Sequence, residues 1–187
     1  MPKLRKNKPR RKLVTCNTAP YSSHKNSLRD DFNNRCGYCD CADHYEGGSR
    51  NFQIDHFRPQ KHFPQLLNNY DNLVYSCRYC NRAKWHKWFD GDGFIDPCSP
   101  AYDDNLYRNK SGQIKSDTAN GKLIIRELQL NTKRHEYIWI IDKLEYQMRL
   151  LRICTKQPND KKSELMDLIL KVSEEYFKYI DIFRKTL

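Results

Sequence analysis

The sequence contains no long apolar stretch, and this absence argues against a membrane-spanning helix. No run of apolar residues approaches the ~20 residues that cross a bilayer. The basic N-terminus is not followed by the apolar segment that a secretory signal requires. We therefore expect an intracellular, cytoplasmic protein that has no membrane partner.

Acidic residues are absent from the first 12 positions, which hold seven lysines and arginines. A block of like charge is usually disordered until it meets an ion of opposite sign. The chain has 187 residues and a net charge of +11, so it attracts polyanions and favours a nucleic acid as partner. We expect residues 1–26 to form a basic arm that contacts phosphate, the alternative being a tail that only aids solubility.

The eight cysteines lack the arrangement of a secreted disulfide framework. Four of them form two Cys-x-x-Cys pairs, and in an intracellular chain this spacing indicates a metal. Two such turns complete a closed tetrahedral site of four thiolates around Zn²⁺. The alternatives are a redox pair, or Cys41 in place of Cys39. The paired cysteines are Cys36 and Cys39, then Cys77 and Cys80, and the scattered ones are Cys16, Cys41, Cys98 and Cys154.

The segment between the two cysteine pairs predicts a small catalytic unit. Residues 51–56 alternate like a short strand, with Phe52 and Ile54 on one face, and residues 73–76 form a second strand. The pattern becomes helical from Cys77. A strand, a loop, a second strand and a helix therefore make up the predicted unit, the helix ending near residue 88.

Asp55, His56 and Asn81 have the chemistry of a one-metal phosphodiesterase. His56 can deprotonate water because imidazole titrates near neutral pH. Neighbouring strand residues point to opposite sides, so Asp55 can hold a divalent cation while His56 faces the water. Asn81, on the first turn of the helix, can add a second oxygen and leave several positions open to water. Asn72 is expected to hold either His56 or its loop by hydrogen bonding.

These motifs resemble the HNH endonucleases of the ββα-metal superfamily, specifically the four-cysteine zinc type. The resemblance covers about residues 36–88, with 16 positions from His56 to Asn72 and nine more to Asn81. It implies that Asp55 and Asn81 bind catalytic Mg²⁺ or Mn²⁺, that His56 is the general base, and that Asn72 orients it. It also implies a structural zinc on Cys36, Cys39, Cys77 and Cys80.

A weaker resemblance connects the chain to the HNH effectors of Septu and retron antiphage systems. In those systems the nuclease works beside an ABC/SMC-like ATPase, so the resemblance implies such a partner here. The segments that carry it are 55–61, 70–75, 80–84, 95–97 and 121–131.

Several basic residues near the motif are candidates for contacts with the nucleic acid. Lys84 on the helix is preferred, followed by Arg58 and Lys61 beside the base and by Arg82 next to Asn81. For each of them the alternative is a solvated charge. His86 is disfavoured as an extra metal ligand because it lies about 100° around the helix from the position that such a ligand would take.

The predicted fold class is α+β, a zinc-stapled ββα-metal core followed by a C-terminal helical region. We expect the basic arm at 1–26, the nuclease core at 27–97, a loop-rich connector at 98–117 and C-terminal helices at 118–187. A helix at 27–35 precedes the core, and the connector holds a small hairpin across 110–112.

Three C-terminal helices are predicted, at about 118–130, at 131–154 and after a break at 158–160. The last two carry apolar stripes at helical spacing, which indicate that they pack through these faces. The stripe residues are Ile138, Ile141, Leu144, Met148 and Leu151, then Leu165, Leu168, Ile169, Val172, Tyr176, Ile180 and Phe183.

The expected function is metal-dependent hydrolysis of phosphodiester bonds by an antiphage effector nuclease, with DNA favoured as substrate. One alternative is a non-catalytic zinc-knuckle subunit that only binds nucleic acid. A second is an RNA-cleaving nuclease. A third is an interaction subunit whose helices dock on an ATPase and whose nuclease is silent alone.

Overall fold

The computed structural model describes residues 4–12, 19–89, 93–156 and 161–185. The chain divides into two compact units, residues 1–132 and 133–187. The helix predicted at 118–130 falls in the first unit, whereas the sequence grouped it with the later helices. Within the described ranges, no helix is both long and apolar enough to cross a membrane. The predicted break at 158–160, together with Lys3 and Cys16, lies outside the described residues.

A two-stranded antiparallel sheet and one helix form the centre of the first unit. Strand β1 (Gln53–His56) pairs with β2 (Leu73–Ser76), so that Asp55 lies opposite Val74. Every residue of β2 is buried, as its apolar sequence predicts. Helix α2 (Arg78–Lys84) follows directly. The predicted strand–strand–helix order is confirmed, and α2 ends four residues before the predicted end near residue 88.

Helix α1 (Lys25–Asp31) packs against this centre through the fully buried Leu28. The phenol of Tyr70 donates a hydrogen bond to Asp31 Oδ2 at 2.8 Å. The helix predicted at 27–35 begins earlier and ends sooner, because Asn33 and Asn34 adopt left-handed φ values of 55° and 59°. Asparagine tolerates this conformation, which cannot continue a right-handed helix.

The rest of the first unit consists of short elements with recognisable caps. They are α3 (Pro100–Asn105), β3 (Tyr107–Arg108), β4 (Ile114–Lys115) and α4 (Ala119–Glu127). The hydroxyl groups of Ser99 and Thr118 accept N–H groups at the starts of α3 and α4, as N-caps do. Strands β3 and β4 pair with each other, so the predicted hairpin across 110–112 is present, and each of its strands lies one residue later than expected.

The described part of the basic N-terminal arm is built into the fold, which corrects the expectation of a disordered segment. Arg5 is buried and forms two hydrogen bonds with Asp103, at 2.8 and 2.7 Å. Arg11 forms an ion pair with Asp96 at 2.9 Å and donates to the carbonyl oxygen of Leu73. These two arginines therefore stabilise the fold and are not free to contact phosphate.

The second unit is a pair of long helices, α5 (Lys133–Cys154) and α6 (Lys162–Arg184). The rings of Tyr137 and Tyr179 lie 6.1 Å apart, and Ser173 Oγ donates to Met148 Sδ at 3.3 Å. The predicted stripes are buried or half-buried except for Leu168, which is exposed. The apolar periodicity thus located both helices, with one residue assigned to the wrong face.

Candidate functional site

The four paired cysteines form a buried cluster whose geometry suits zinc. Their sulfur atoms all lie within 4.8 Å of one another. Tetrahedral Zn–S bonds of about 2.3 Å place sulfurs about 3.8 Å apart, and Cys39 Sγ lies 3.8 Å from Cys77 Sγ. Cys41 is outside the cluster, with its thiol directed to the carbonyl oxygen of Ala42 at 3.4 Å. The geometry therefore favours Cys39 over Cys41 as the fourth ligand.

The first cysteine turn is held by three hydrogen bonds to its successive carbonyl oxygens. Arg5 donates to Gly37 O at 3.3 Å, Tyr102 to Tyr38 O at 2.9 Å, and Arg108 to Cys39 O at 2.7 Å. Burial lowers the pKa of Arg108, and the nearby Cys39 sulfur opposes that shift. A Zn²⁺ ion with four thiolates carries a net charge of about −2. The two buried arginines supply positive charge beside it.

A pocket of about 500 Å³ lies where β1 faces α2. Helix α2 follows β2 directly and packs beside β1, so side chains of β1 and α2 converge at this point. The lining includes the predicted residues Asp55, His56 and Asn81, together with Arg82 and His86. Further lining residues are Tyr21, Gln53, Ile54, Pro59, Gln60, Arg78 and Trp85.

The His56 ring is held on two sides, by a backbone carbonyl oxygen and by a tyrosine ring. Its Nε2 atom lies 2.8 Å from the carbonyl oxygen of Leu67. A carbonyl can only accept, so in the neutral imidazole Nε2 carries the proton and Nδ1 keeps its lone pair. The ring of Tyr21 meets the imidazole edge-on with centroids 4.8 Å apart, which further fixes its plane. His56 is 9 % exposed and lines the pocket.

Asp55 is a buried carboxylate with two donors from the protein. Tyr38 donates to its Oδ2 atom at 2.5 Å, and Lys84 Nζ lies 3.2 Å from the same oxygen. Burial raises the pKa of the Asp55 carboxyl, and the charge of Lys84 opposes that rise. Burial also raises the pKa of Tyr38, with Asp55 as a second cause, so the phenol stays a donor. A divalent cation at Asp55 would share this carboxylate with Lys84.

The side chain of Asn72 holds the loop after β1, because its hydrogen bonds go to the backbone of Arg58 and Leu66 and not to the His56 ring. Its Oδ1 atom accepts the Arg58 N–H at 2.8 Å, and its Nδ2 atom donates to the Arg58 carbonyl at 3.0 Å. A weaker bond from Nδ2 reaches Leu66 O at 3.4 Å. Since Leu67 accepts from His56, Asn72 positions the imidazole indirectly, through the loop.

Asn81 lies on the first turn of α2 and presents an amide to the pocket. Its Nδ2 atom donates to Gln53 Oε1 at 2.6 Å. This bond uses the amide nitrogen, whereas a metal would bind the amide oxygen Oδ1. Gln53 and Asp55 are two residues apart on β1 and share a face. Carboxylate and amide oxygens of this kind fit Mg²⁺ or Mn²⁺, which accept few protein ligands and keep several waters.

The basic residues near the motif divide into buried and exposed groups. The prediction that Lys84 is the preferred contact for phosphate is corrected by this division. Lys84 is fully buried and donates to His56 O at 2.7 Å, so it does not reach a phosphate. Arg82 is exposed and lines the pocket. Arg58 and Lys61 are exposed outside the pocket lining, with the Arg58 guanidinium 5.8 Å from the Phe63 ring centre. Arg82 is therefore the predicted cation that the structure places at the pocket.

Sequence reasoning missed four residues that contact or adjoin the site. Tyr21, Tyr38 and Gln53 touch His56, Asp55 and Asn81 respectively. Arg78 lines the pocket one helical turn before Arg82. The alternation of β1 could have identified Gln53, and the helical spacing could have identified Arg78. Nothing in the sequence indicates the two tyrosines, because their contacts depend on how distant segments pack.

The fold and the matched residues define the class of this domain. Residues 36–87 match the family model described as HNH endonuclease. This segment, with its ββα core beside a four-cysteine cluster, is an HNH endonuclease domain.

Over a stretch longer than this domain, the chain is similar to Septu protein PtuB. It is 27% identical over 143 residues to the protein from Bacillus thuringiensis, covering 76% of this chain and 51% of the relative. A second Septu protein PtuB, from Bacillus mycoides (strain KBAB4), is 32% identical over an alignment of 83 residues. This alignment covers 36% of this chain and 26% of the relative. The chain thus spans about half of the first relative and about a quarter of the second. No solved structure matches the chain.

Proposed function

We propose that this protein is a metal-dependent endonuclease that hydrolyses phosphodiester bonds, with DNA as its substrate. The observation that carries the proposal is the convergence of Asp55, His56 and Asn81 on one pocket. An imidazole, a carboxylate and an amide oxygen are the groups that single-ion phosphodiester hydrolysis requires. The HNH family match over residues 36–87 supports the same reaction class.

The proposed reaction assigns a separate task to each side chain. Asp55 and Asn81 would hold Mg²⁺ or Mn²⁺ through oxygen atoms. That ion would supply positive charge beside the scissile phosphate and the leaving oxygen. His56 would take a proton from the attacking water at Nδ1, because its Nε2–H is held by Leu67 O at 2.8 Å. Asn72 would keep the loop that carries Leu67 in place.

The cysteine cluster would bind one structural Zn²⁺ through Cys36, Cys39, Cys77 and Cys80. Cys36 and Cys39 precede β1, whereas Cys77 and Cys80 lie at the start of α2. A zinc ion would therefore join the Cys36–Cys39 turn to the helix that carries Asn81, and this turn is itself bonded to β2 by the Gly37 N–H and the Tyr75 carbonyl oxygen. In a small unit such an ion contributes directly to folding.

The similarity to Septu protein PtuB supports a role as the nuclease component of a bacterial antiphage system. An ABC/SMC-like ATPase partner is part of this proposal, because the resembling effectors work beside one. The net charge of +11 is consistent with a nucleic acid as the second partner. A cytoplasmic location follows from such a role.

Cleavage assays with two nucleic acids test the proposal. Plasmid DNA and tRNA are each incubated with wild type and with Asn81→Ala in Mg²⁺, Mn²⁺ or Ca²⁺. Every reaction is run with and without the protein encoded by the gene next to this one. We expect plasmid cleavage in Mg²⁺ or Mn²⁺. Asn81→Ala should need roughly tenfold more metal for half-maximal rate, because one ligand is lost.

The other outcomes separate the alternatives. Cleavage of tRNA and not of plasmid would assign an RNA substrate. Binding of nucleic acid without cleavage in any metal, alone or with the neighbouring protein, would identify a non-catalytic zinc-knuckle subunit. Cleavage that starts only when the second protein is added would identify an ATPase-controlled nuclease.

A further inference from the structure

Trp85 is an aromatic residue at the rim of the pocket, with an exposed side chain and an unfavourable backbone conformation. It is 68% exposed, the most exposed of the large apolar residues in the described chain. It lines the same pocket as His56 and Asn81. Tryptophan is highly buried on average in soluble proteins, so an indole that is exposed at the rim of a pocket is a candidate contact for a ligand.

The backbone at Trp85 is strained. The Lys87 N–H donates to the Lys84 carbonyl at 2.9 Å, which closes a four-residue turn directly after α2. Trp85 occupies the second position of this turn with φ 49° and ψ −128°. These angles are those of a type II′ turn, where glycine is strongly preferred because a Cβ atom is crowded. Non-glycine residues in such conformations are concentrated at functional sites.

Positive charge accompanies the indole. Arg78 and Arg82 are exposed and line the same pocket. Arg78 and Arg82 are four positions apart on α2 and so lie on one side of it, and Trp85 is the residue directly after the end of this helix. Arginines that attract phosphate, interleaved with an aromatic face, are the arrangement by which proteins bind single-stranded nucleic acid.

We propose that Trp85 stacks on an unpaired nucleobase of the cleaved strand, next to the scissile phosphate. The proposal rests on the endonuclease function proposed above and adds a substrate class to it. The preferred substrate would be a single strand, or a duplex with an unpaired base, since a base within an intact duplex has no free face. Stacking on an aromatic ring is tolerant of sequence, because every base has a π-face.

Binding measurements with four Trp85 variants test this inference without depending on cleavage. Anisotropy of a labelled 24-nucleotide DNA strand is recorded with zinc-loaded protein and no other divalent ion. We expect Trp85→Leu to weaken binding on the order of 10- to 100-fold, because one stacked base is lost. Trp85→Phe and Trp85→Tyr should stay within about threefold, since a ring remains.

Trp85→Gly separates the binding role from folding. Glycine adopts φ 49° without strain, so this variant should melt no lower than wild type. It should still lose as much affinity as Trp85→Leu. The matched control is Tyr79→Leu, an aromatic that is 47% exposed on the same helix but outside the pocket lining. This control should bind like wild type.

An abasic scan identifies the stacked base. A series of DNA strands is used, each lacking the base at a different position. At one position the missing base should lower the affinity of wild type and leave the affinity of Trp85→Leu unchanged. Equal binding by Trp85→Leu and Trp85→Phe, or no position coupled to Trp85, would overturn the stacking proposal. Failure of wild type to bind the strand would overturn it as well. Failure of the nuclease function itself would be seen separately, as no cleavage of plasmid or tRNA in any metal.

Discussion

Lys84 forms a buried ion pair with Asp55, at 3.2 Å from Nζ to Oδ2, and donates to the carbonyl oxygen of His56 at 2.7 Å. One side chain of α2 therefore contacts both the proposed metal ligand and the backbone of the proposed base. Burial lowers the pKa of Lys84, and the carboxylate of Asp55 opposes that change. Lys84 is best described as a residue that positions the strand carrying the site.

Replacing Lys84 with methionine should destabilise the protein. The substitution leaves the buried Asp55 carboxylate without its cation, a loss of about 3–5 kcal/mol. We expect the melting temperature to fall on the order of 10 °C. Millimolar Mg²⁺ or Mn²⁺ should restore part of this loss, and should do so more than in wild type, because the ion replaces the missing positive charge.

The matched control for this experiment is Arg82→Met on the same helix. Arg82 is exposed, so its loss should change stability by less than about 0.5 kcal/mol while weakening nucleic acid binding. An unchanged melting temperature for Lys84→Met would show that the ion pair does not support the site.

Removing zinc should unfold the first unit. Zinc bound by four thiolates contributes about 10–16 kcal/mol in small zinc domains, which is comparable to the whole stability of a typical domain. We expect one zinc per chain in wild type and none in Cys77→Ser, together with loss of near-ultraviolet circular dichroism. Cys154 is exposed and outside the cluster, so Cys154→Ser should retain both signals. A folded, zinc-free Cys77→Ser protein would contradict the structural role.

The arm should be part of the folded unit. Arg5→Gln removes both bonds to Asp103 and the bond to Gly37 O, so we expect a loss of about 3 kcal/mol in unfolding free energy. Arg10→Gln, at an exposed position of the same arm, is the control and should change stability by less than about 0.5 kcal/mol. Urea titration measures both. Equal stability of the two variants would mean that the arm is not integrated into the fold.

The sequence alone was enough to predict those parts of the site that depend on the order of residues within a strand, a turn or a helix. Leu73, Val74 and Tyr75 are consecutive apolar residues that predict a buried strand, and the second Cys-x-x-Cys turn marks where α2 begins. The spacing of Asp55, His56 and Asn81 then places these residues near one another. Local periodicity therefore predicted the ββα core and the pocket residues on it.

The roles of charged residues could not be predicted in the same way. Lys84 has the sequence context of an exposed helical lysine, and its burial depends on α2 packing across β1. Arg5 and Arg11 belong to a basic run, and their partners Asp103 and Asp96 are separated from them by 98 and 85 positions. Such pairings depend on tertiary structure, which a single sequence does not contain. The turn at Trp85 was missed because tryptophan is an unusual residue for its backbone conformation.

Plasmid cleavage by His56→Ala tests the role of His56 as general base most directly, with zinc content and DNA affinity measured on the same preparation. We expect one zinc per chain and wild-type DNA binding, with cleavage reduced at least ~100-fold because the general base is gone. Metal-dependent cleavage by zinc-loaded His56→Ala at the wild-type rate would contradict the assignment of His56 as the base.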